Sequence, residues 1–82
     1  MTARLVFLGR LEEQAGRAFD DVALDAPLGW AALLQRLAPG LAEIVSGDRI
    51  RIALNGALVG DKQGIILADG DEIAFLPPVS GG

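Results

Sequence analysis

The spacing of apolar and polar positions changes several times along the chain, and each change marks an element. Ala3 to Leu8 is apolar except for Arg4. Such a run predicts a strand covered on both faces, and so a central place in a sheet. Gly9 to Arg17 is mixed, with a helical turn expected over Leu11 to Ala15. Phe19 to Leu24 sets Val22 and Leu24 against Asp21 and Ala23, the alternation of a second strand. The two strands form a hairpin-like opening with a long connection. Pro27 suits the first turn of a helix, where a missing N–H costs nothing. Trp30, Leu33, Leu34 and Leu37 then recur at helical spacing. Pro39-Gly40 is expected to stop this helix, leaving Leu41, Ile44 and Val45 one further short turn.

The second half reads as strands and turns. Ile50, Ile52 and Leu54 alternate with Arg49, Arg51 and Ala53, a third strand with one wet face. Asn55-Gly56 is a strong hairpin dipeptide, because both residues tolerate positive φ. A short strand, Ala57 to Val59, follows it. Asp69-Gly70-Asp71 is a further turn and Glu72 to Leu76 a last strand. The order β-β-α-β-β-β describes an α+β roll, a mixed sheet with one main helix packed on one face. Residues 1–78 make the domain, and 79–82 a flexible tail beyond Pro77-Pro78.

Composition narrows the chemistry. With 82 residues, 51% of them hydrophobic and 22% charged, the chain is one small globular domain. It contains no Cys and no His. Disulfides, thiolate nucleophiles, the commonest general base and the commonest metal ligand are therefore absent, and no metal site is expected. Eleven acidic side chains against seven basic ones give a net charge of −4, which disfavours nucleic acid and anionic membrane as partners. The apolar run Leu5 to Leu8 is too short for a signal segment or a membrane span, so a cytoplasmic location is expected. No phosphate-cradling glycine motif occurs. Ser46 and Ser80 lack an activating His. The pairs Glu12-Glu13, Asp20-Asp21 and Asp71-Glu72 read as solvated faces or turn chemistry.

The C-terminal Gly81-Gly82 points elsewhere. Without Cβ atoms, two glycines in file form the thinnest possible polypeptide thread. Such a thread can carry a terminal carboxylate through a narrow channel into another protein's active site. Pro77-Pro78 would hold its base extended and clear of the last strand. One further feature implies a partner. If Leu5, Phe7, Ile73 and Phe75 face the helix, alternation sends Val6, Leu8, Ala74 and Leu76 to the opposite face. One helix cannot cover that second face, so its apolar residues imply a docking surface.

The run Leu67-Ala68-Asp69-Gly70-Asp71-Glu72-Ile73-Ala74-Phe75-Leu76-Pro77-Pro78-Val79-Ser80-Gly81-Gly82 resembles the C-terminal signature of the small, sulfur-carrier subunit of molybdopterin synthase, the MoaD family. Arg4 to Arg10, Ala15-Gly16 and Leu54-Asn55-Gly56 extend the likeness over essentially the whole chain. The resemblance implies a ubiquitin-like β-grasp fold and a non-catalytic carrier within a heteromeric synthase. It implies that an E1-like activating enzyme adenylates the Gly82 carboxylate, using ATP that is not bound by this chain. A persulfide sulfur-donor system then converts it to a thiocarboxylate. Inserted into the large synthase subunit, the tail gives sulfur to cyclic pyranopterin monophosphate in molybdenum cofactor biosynthesis. Gly82 would bear the sulfur, Gly81 would give clearance, and Leu8, Leu58, Leu76, Pro77 and Val79 would meet the partner. Three alternatives stay open: a sulfur carrier for thiazole synthesis or tRNA thiolation, a ubiquitin-like modifier of lysines, and a plain binding module.

Overall fold

Alternation in the first and last strands decides the layout. A computed structural model describes residues 1–78. In it, β1 (Thr2–Phe7) buries Ala3, Leu5 and Phe7, and β7 (Glu72–Leu76) buries Ile73 and Phe75. The two strands lie side by side and parallel, with Leu5 opposite Ile73 and Phe7 opposite Phe75. That register stacks the two phenyl rings, centroids 5.4 Å apart. Between β1 and β7 run α1 (Arg10–Ala15), β2 (Phe19–Ala23), β3 (Leu28–Gly29), α2 (Trp30–Gln35), α3 (Pro39–Ser46), β4 (Arg51–Leu54), β5 (Ala57–Leu58), a 3₁₀ turn (Lys62–Gly64) and β6 (Ile66–Leu67). The main sheet has the order β2-β1-β7-β4-β5, so the first and last strands are central, as the apolar run at Ala3 predicts. β2 and β4 flank them antiparallel.

One face of this sheet carries the core. Leu11 from α1, Trp30 and Leu33 from α2, and Leu41 and Val45 from α3 pack on the inward side chains of β1, β4 and β7. Asn55 (φ 51°) and Gly56 (φ 85°) supply the two left-handed residues of the β4–β5 hairpin, as expected of that dipeptide.

Several sequence expectations shift. The first strand ends at Phe7, leaving Leu8 outside it, because the backbone turns at Gly9 (φ 54°, ψ −130°). The second strand ends at Ala23 and the hairpin's return strand at Leu58. Ile50 precedes the third strand, which begins at Arg51. Pro27 does not open the helix. Leu28 and Gly29 stay extended because their backbones pair with Leu67 and Ile66, a two-stranded sheet with no alternation long enough to read. The helix therefore begins at Trp30 and ends at Gln35, before the proline. Pro39 excludes the α region for Ala38 (φ −57°, ψ 143°) and then occupies the first turn of α3. The expected stop is thus also a start, and the expected short turn is a helix of eight residues.

Candidate docking face and tail root

Strand register builds the site. Phe19 lies opposite Val6, Val6 opposite Ala74, Ala74 opposite Ala53, and Ala53 opposite Leu58. Side chains in register share a face, so these five residues form one apolar row across all five strands of the main sheet. It lies on the face away from the helices. The row's two ends are its most exposed members, Phe19 at 49% and Leu58 at 65%. Polar residues border it on one side: Arg4 lies opposite both Asp21 and Glu72. The Arg4 guanidinium donates to both carboxylate oxygens of Asp21, at 2.7 and 3.1 Å, while lying 4.3 Å from the Phe19 ring centroid. The hydrogen bonds from Arg4 hold the Asp21 carboxyl below its usual range. On the other border Leu76 lies opposite Arg51. An apolar strip with a charged rim is the composition of a protein-docking patch.

The chain leaves β7 at Leu76, directly beside that strip. Pro77 packs against the β1–α1 turn, where a Cβ on Gly9 would stand 2.9 Å from Pro77 Cγ. Gly9 also has the positive φ that disfavours side chains, so glycine is required there on both counts. Leu8, next to it, donates its N–H to the Phe75 carbonyl oxygen at 3.2 Å. The root of the tail is thus held between β7 and the first turn of the chain.

The acidic turn before β7 serves structure. Asp69 Oδ1 accepts from the Thr2 N–H at 2.9 Å, and the Gly70 N–H donates to the Thr2 carbonyl at 2.8 Å. Asp71 accepts from Asn55 Nδ2 at 2.9 Å and from the Ala68 N–H at 2.8 Å. These bonds, the Asn55 one first, hold its carboxyl below the ordinary value. Asn55 completes the joint by accepting from the Glu72 N–H at 2.9 Å. The turn chemistry read from Asp69-Gly70-Asp71 therefore splices three strands at the end of the sheet remote from the tail. Among the described residues no group of three or more His, Cys, Asp or Glu could hold a metal ion.

Of the residues expected to meet a partner, Leu58 and Leu76 lie on the outer face, and Pro77 lies at the tail root. Leu8 is exposed just past the end of β1. Val79, Gly81 and Gly82, and with them the 79–82 tail, lie outside the described residues. Two site residues escape the sequence reading. Phe19 occupies the same phase as Asp21 and Ala23, and an aromatic ring in the polar phase of an alternating strand is the signal that marks it. Gly9 needed a contact 68 positions away in sequence, which no local pattern contains.

The sheet order, the central parallel pair and the helices on one face define a ubiquitin-like β-grasp domain. The chain belongs to the ThiS family, whose sequence profile matches residues 5–82. Among solved structures it is similar to SAMP1 from Haloferax volcanii, with 30% identity, all of both chains covered and a TM-score of 0.76. Small archaeal modifier protein 1 from Methanosarcina acetivorans is 26% identical over 99% of this chain and 96% of that one, with a TM-score of 0.75. A protein–protein complex of subunits 1 and 2 of the molybdopterin-converting factor from Helicobacter pylori 26695 also matches. There the identity is 29%, both chains are fully covered and the TM-score is 0.66. Among the described residues no helix is long and apolar enough to cross a membrane.

Proposed function

We propose that this chain is the sulfur-carrier subunit of a molybdopterin synthase. The observation that carries the reading is the apolar row from Phe19 to Leu58, open on the outer face and adjoining the strand from which the tail departs. A carrier needs both parts, a surface that docks and a thread that reaches. The H. pylori neighbour, solved with subunits 1 and 2 of a molybdopterin-converting factor together, supports a large-subunit partner. In this reading the Gly82 carboxylate attacks the α-phosphorus of ATP on an E1-like enzyme, releasing pyrophosphate. The outer sulfur of a persulfide donor then attacks the acyl carbon and displaces AMP. A thiol reduces the resulting acyl disulfide, leaving a thiocarboxylate and a disulfide on the donor. The outer face docks on the large subunit, the tail enters its active site, and the sulfur passes to cyclic pyranopterin monophosphate. The base and the substrate-binding groups belong to the large subunit. ATP is used by the activating enzyme, and this chain holds no cofactor.

Intact mass after incubation with activating enzyme, ATP and sulfur donor tests this reading. The expected change is one oxygen exchanged for one sulfur, placed on Gly82 by fragmentation. An unchanged mass, under conditions that thiocarboxylate a known carrier, removes the sulfur reading. The likeness to small archaeal modifier proteins favours a second reading, in which the same activated carboxylate forms amides with lysines of other proteins. Gly82-linked lysine peptides in cell extracts would support it. Delivery to a thiazole precursor or to tRNA differs only in the final acceptor, which in vitro transfer from the thiocarboxylate to each candidate acceptor separates.

A further inference from the structure

The sequence has seven basic side chains, of which six are arginine and one, Lys62, is lysine. That imbalance matters for a chain whose own C-terminus becomes an acylating agent, the reading proposed above on which this inference rests. An acyl-adenylate reacts with any accessible amine. The Gly82 carbonyl carbon bonds to the nitrogen, its bond to the AMP oxygen breaks, AMP leaves with the electron pair, and the amine loses a proton to water. Guanidinium groups stay protonated and do not take part. Lys62 is therefore the one side-chain amine through which a copy of this domain can be linked to the tail of another.

Its position opposes that reaction. Lys62 opens the 3₁₀ turn, whose start is fixed by Asp61 Oδ1 accepting from the Gln63 N–H at 3.0 Å. The ammonium reaches across to the C-terminal end of α3 and donates to the Gly47 carbonyl at 2.6 Å and the Val45 carbonyl at 3.1 Å. The last carbonyls of a helix lack intrahelical donors, so Lys62 supplies a need of the fold as it is held. The side chain is half-buried, in the wall of a recess shared with Trp30, Leu34, Asp48 and Val59. Burial lowers its pKa, which enlarges the neutral, reactive fraction. Protonation is therefore not the protection; confinement has to be. We infer that the fold guards Lys62 from acylation by tying its amine to the end of α3, so that the activated domain does not link to itself through a side chain.

The test acetylates the folded, full-length chain with N-hydroxysuccinimidyl acetate beside free N-acetyl-lysine amide, with modification at Lys62 read by mass spectrometry. Freeing an amine from charge-assisted hydrogen bonds is expected to slow acetylation by about ten-fold relative to the free lysine, a difference that urea abolishes. Equal rates in native buffer overturn the inference. Arg49→Lys, at an exposed position, provides the control, and its new amine should react at the free rate. With activating enzyme and ATP, the unaltered chain should give no product linked through Lys62, any linkage through the Met1 α-amine being told apart by fragmentation. The Arg49→Lys variant should instead give an amide between Gly82 and the amine introduced at position 49. A Gly82–Lys62 amide from the unaltered chain also overturns the inference. If neither chain is adenylated, the proposed function fails, and the acetylation rates still decide whether Lys62 is guarded.

Discussion

The two faces of the five-stranded sheet are made by the same strands and differ in what covers them. Inward, Leu5, Phe7, Ile52, Ile73 and Phe75 are each at most 3% exposed under three helices. Outward, Val6, Ala53 and Ala74 are only half-buried, between the exposed Phe19 and Leu58. Both faces are apolar at their centre, but only one is needed to fold. Strand alternation lets one segment meet two demands at adjacent positions, stability at odd residues of β1 and, in the proposed function, docking at an even one. In such an arrangement, substitutions on one face should change what those on the other leave alone.

The largest effect is expected inside. Phe75→Ala removes the ring stacked on Phe7 at the centre of the core, and a buried Phe→Ala change costs about 3–5 kcal/mol. Much of the stability of so small a domain would go, visible as a collapsed denaturant midpoint. Outside, Leu58→Glu should leave the melting curve nearly unchanged, since surface changes stay within about 0.5 kcal/mol. Binding to the large synthase subunit should weaken by about 1 kcal/mol or more, as when a charge replaces an apolar residue at an interface. Calorimetry on the pair checks this, and native-strength binding would place the interface elsewhere.

At the tail root both demands meet. Gly9→Ala forces a side chain onto a positive-φ residue and against Pro77, a strain of about 1–3 kcal/mol. Stability should fall, and tail-dependent activation should fall with it, whereas large-subunit docking through the strip should persist. Chemical denaturation and an adenylation assay separate the two. The smallest effect belongs to the strand splice at Asp71. Its carboxyl has a folded pKa below the unfolded one, so its contribution is complete above the ordinary carboxylate value and is lost as pH falls through the lower, folded one. Stability should therefore decline below about pH 4, and Asp71→Ala should flatten that decline. An unaltered acid profile would show that the Asn55 and Ala68 bonds do not bias the carboxyl.

Legibility followed the range of the interactions. The five strands of the main sheet could be read from the residues, because period-two alternation and the Asn55-Gly56 turn are local properties of chain neighbours. The inward set Leu5, Phe7, Ile73 and Phe75 was legible for the same reason, and Cys and His chemistry was excluded outright. The rest depended on long-range contacts. The Leu28–Gly29 strand exists only because Ile66 and Leu67 pair with it, and two residues carry no period of their own. Pro39 reads as a stop, yet whether a stop opens a new helix depends on the core that receives Leu41 and Val45. The row from Phe19 to Leu58 is a product of register across five strands, and register is set by which faces are buried and how the turns close, not by any one strand. Lys62 and Gly9 make the same point by contact: each has its role from partners far along the chain, at Gly47 and at Pro77, which only folding brings within reach.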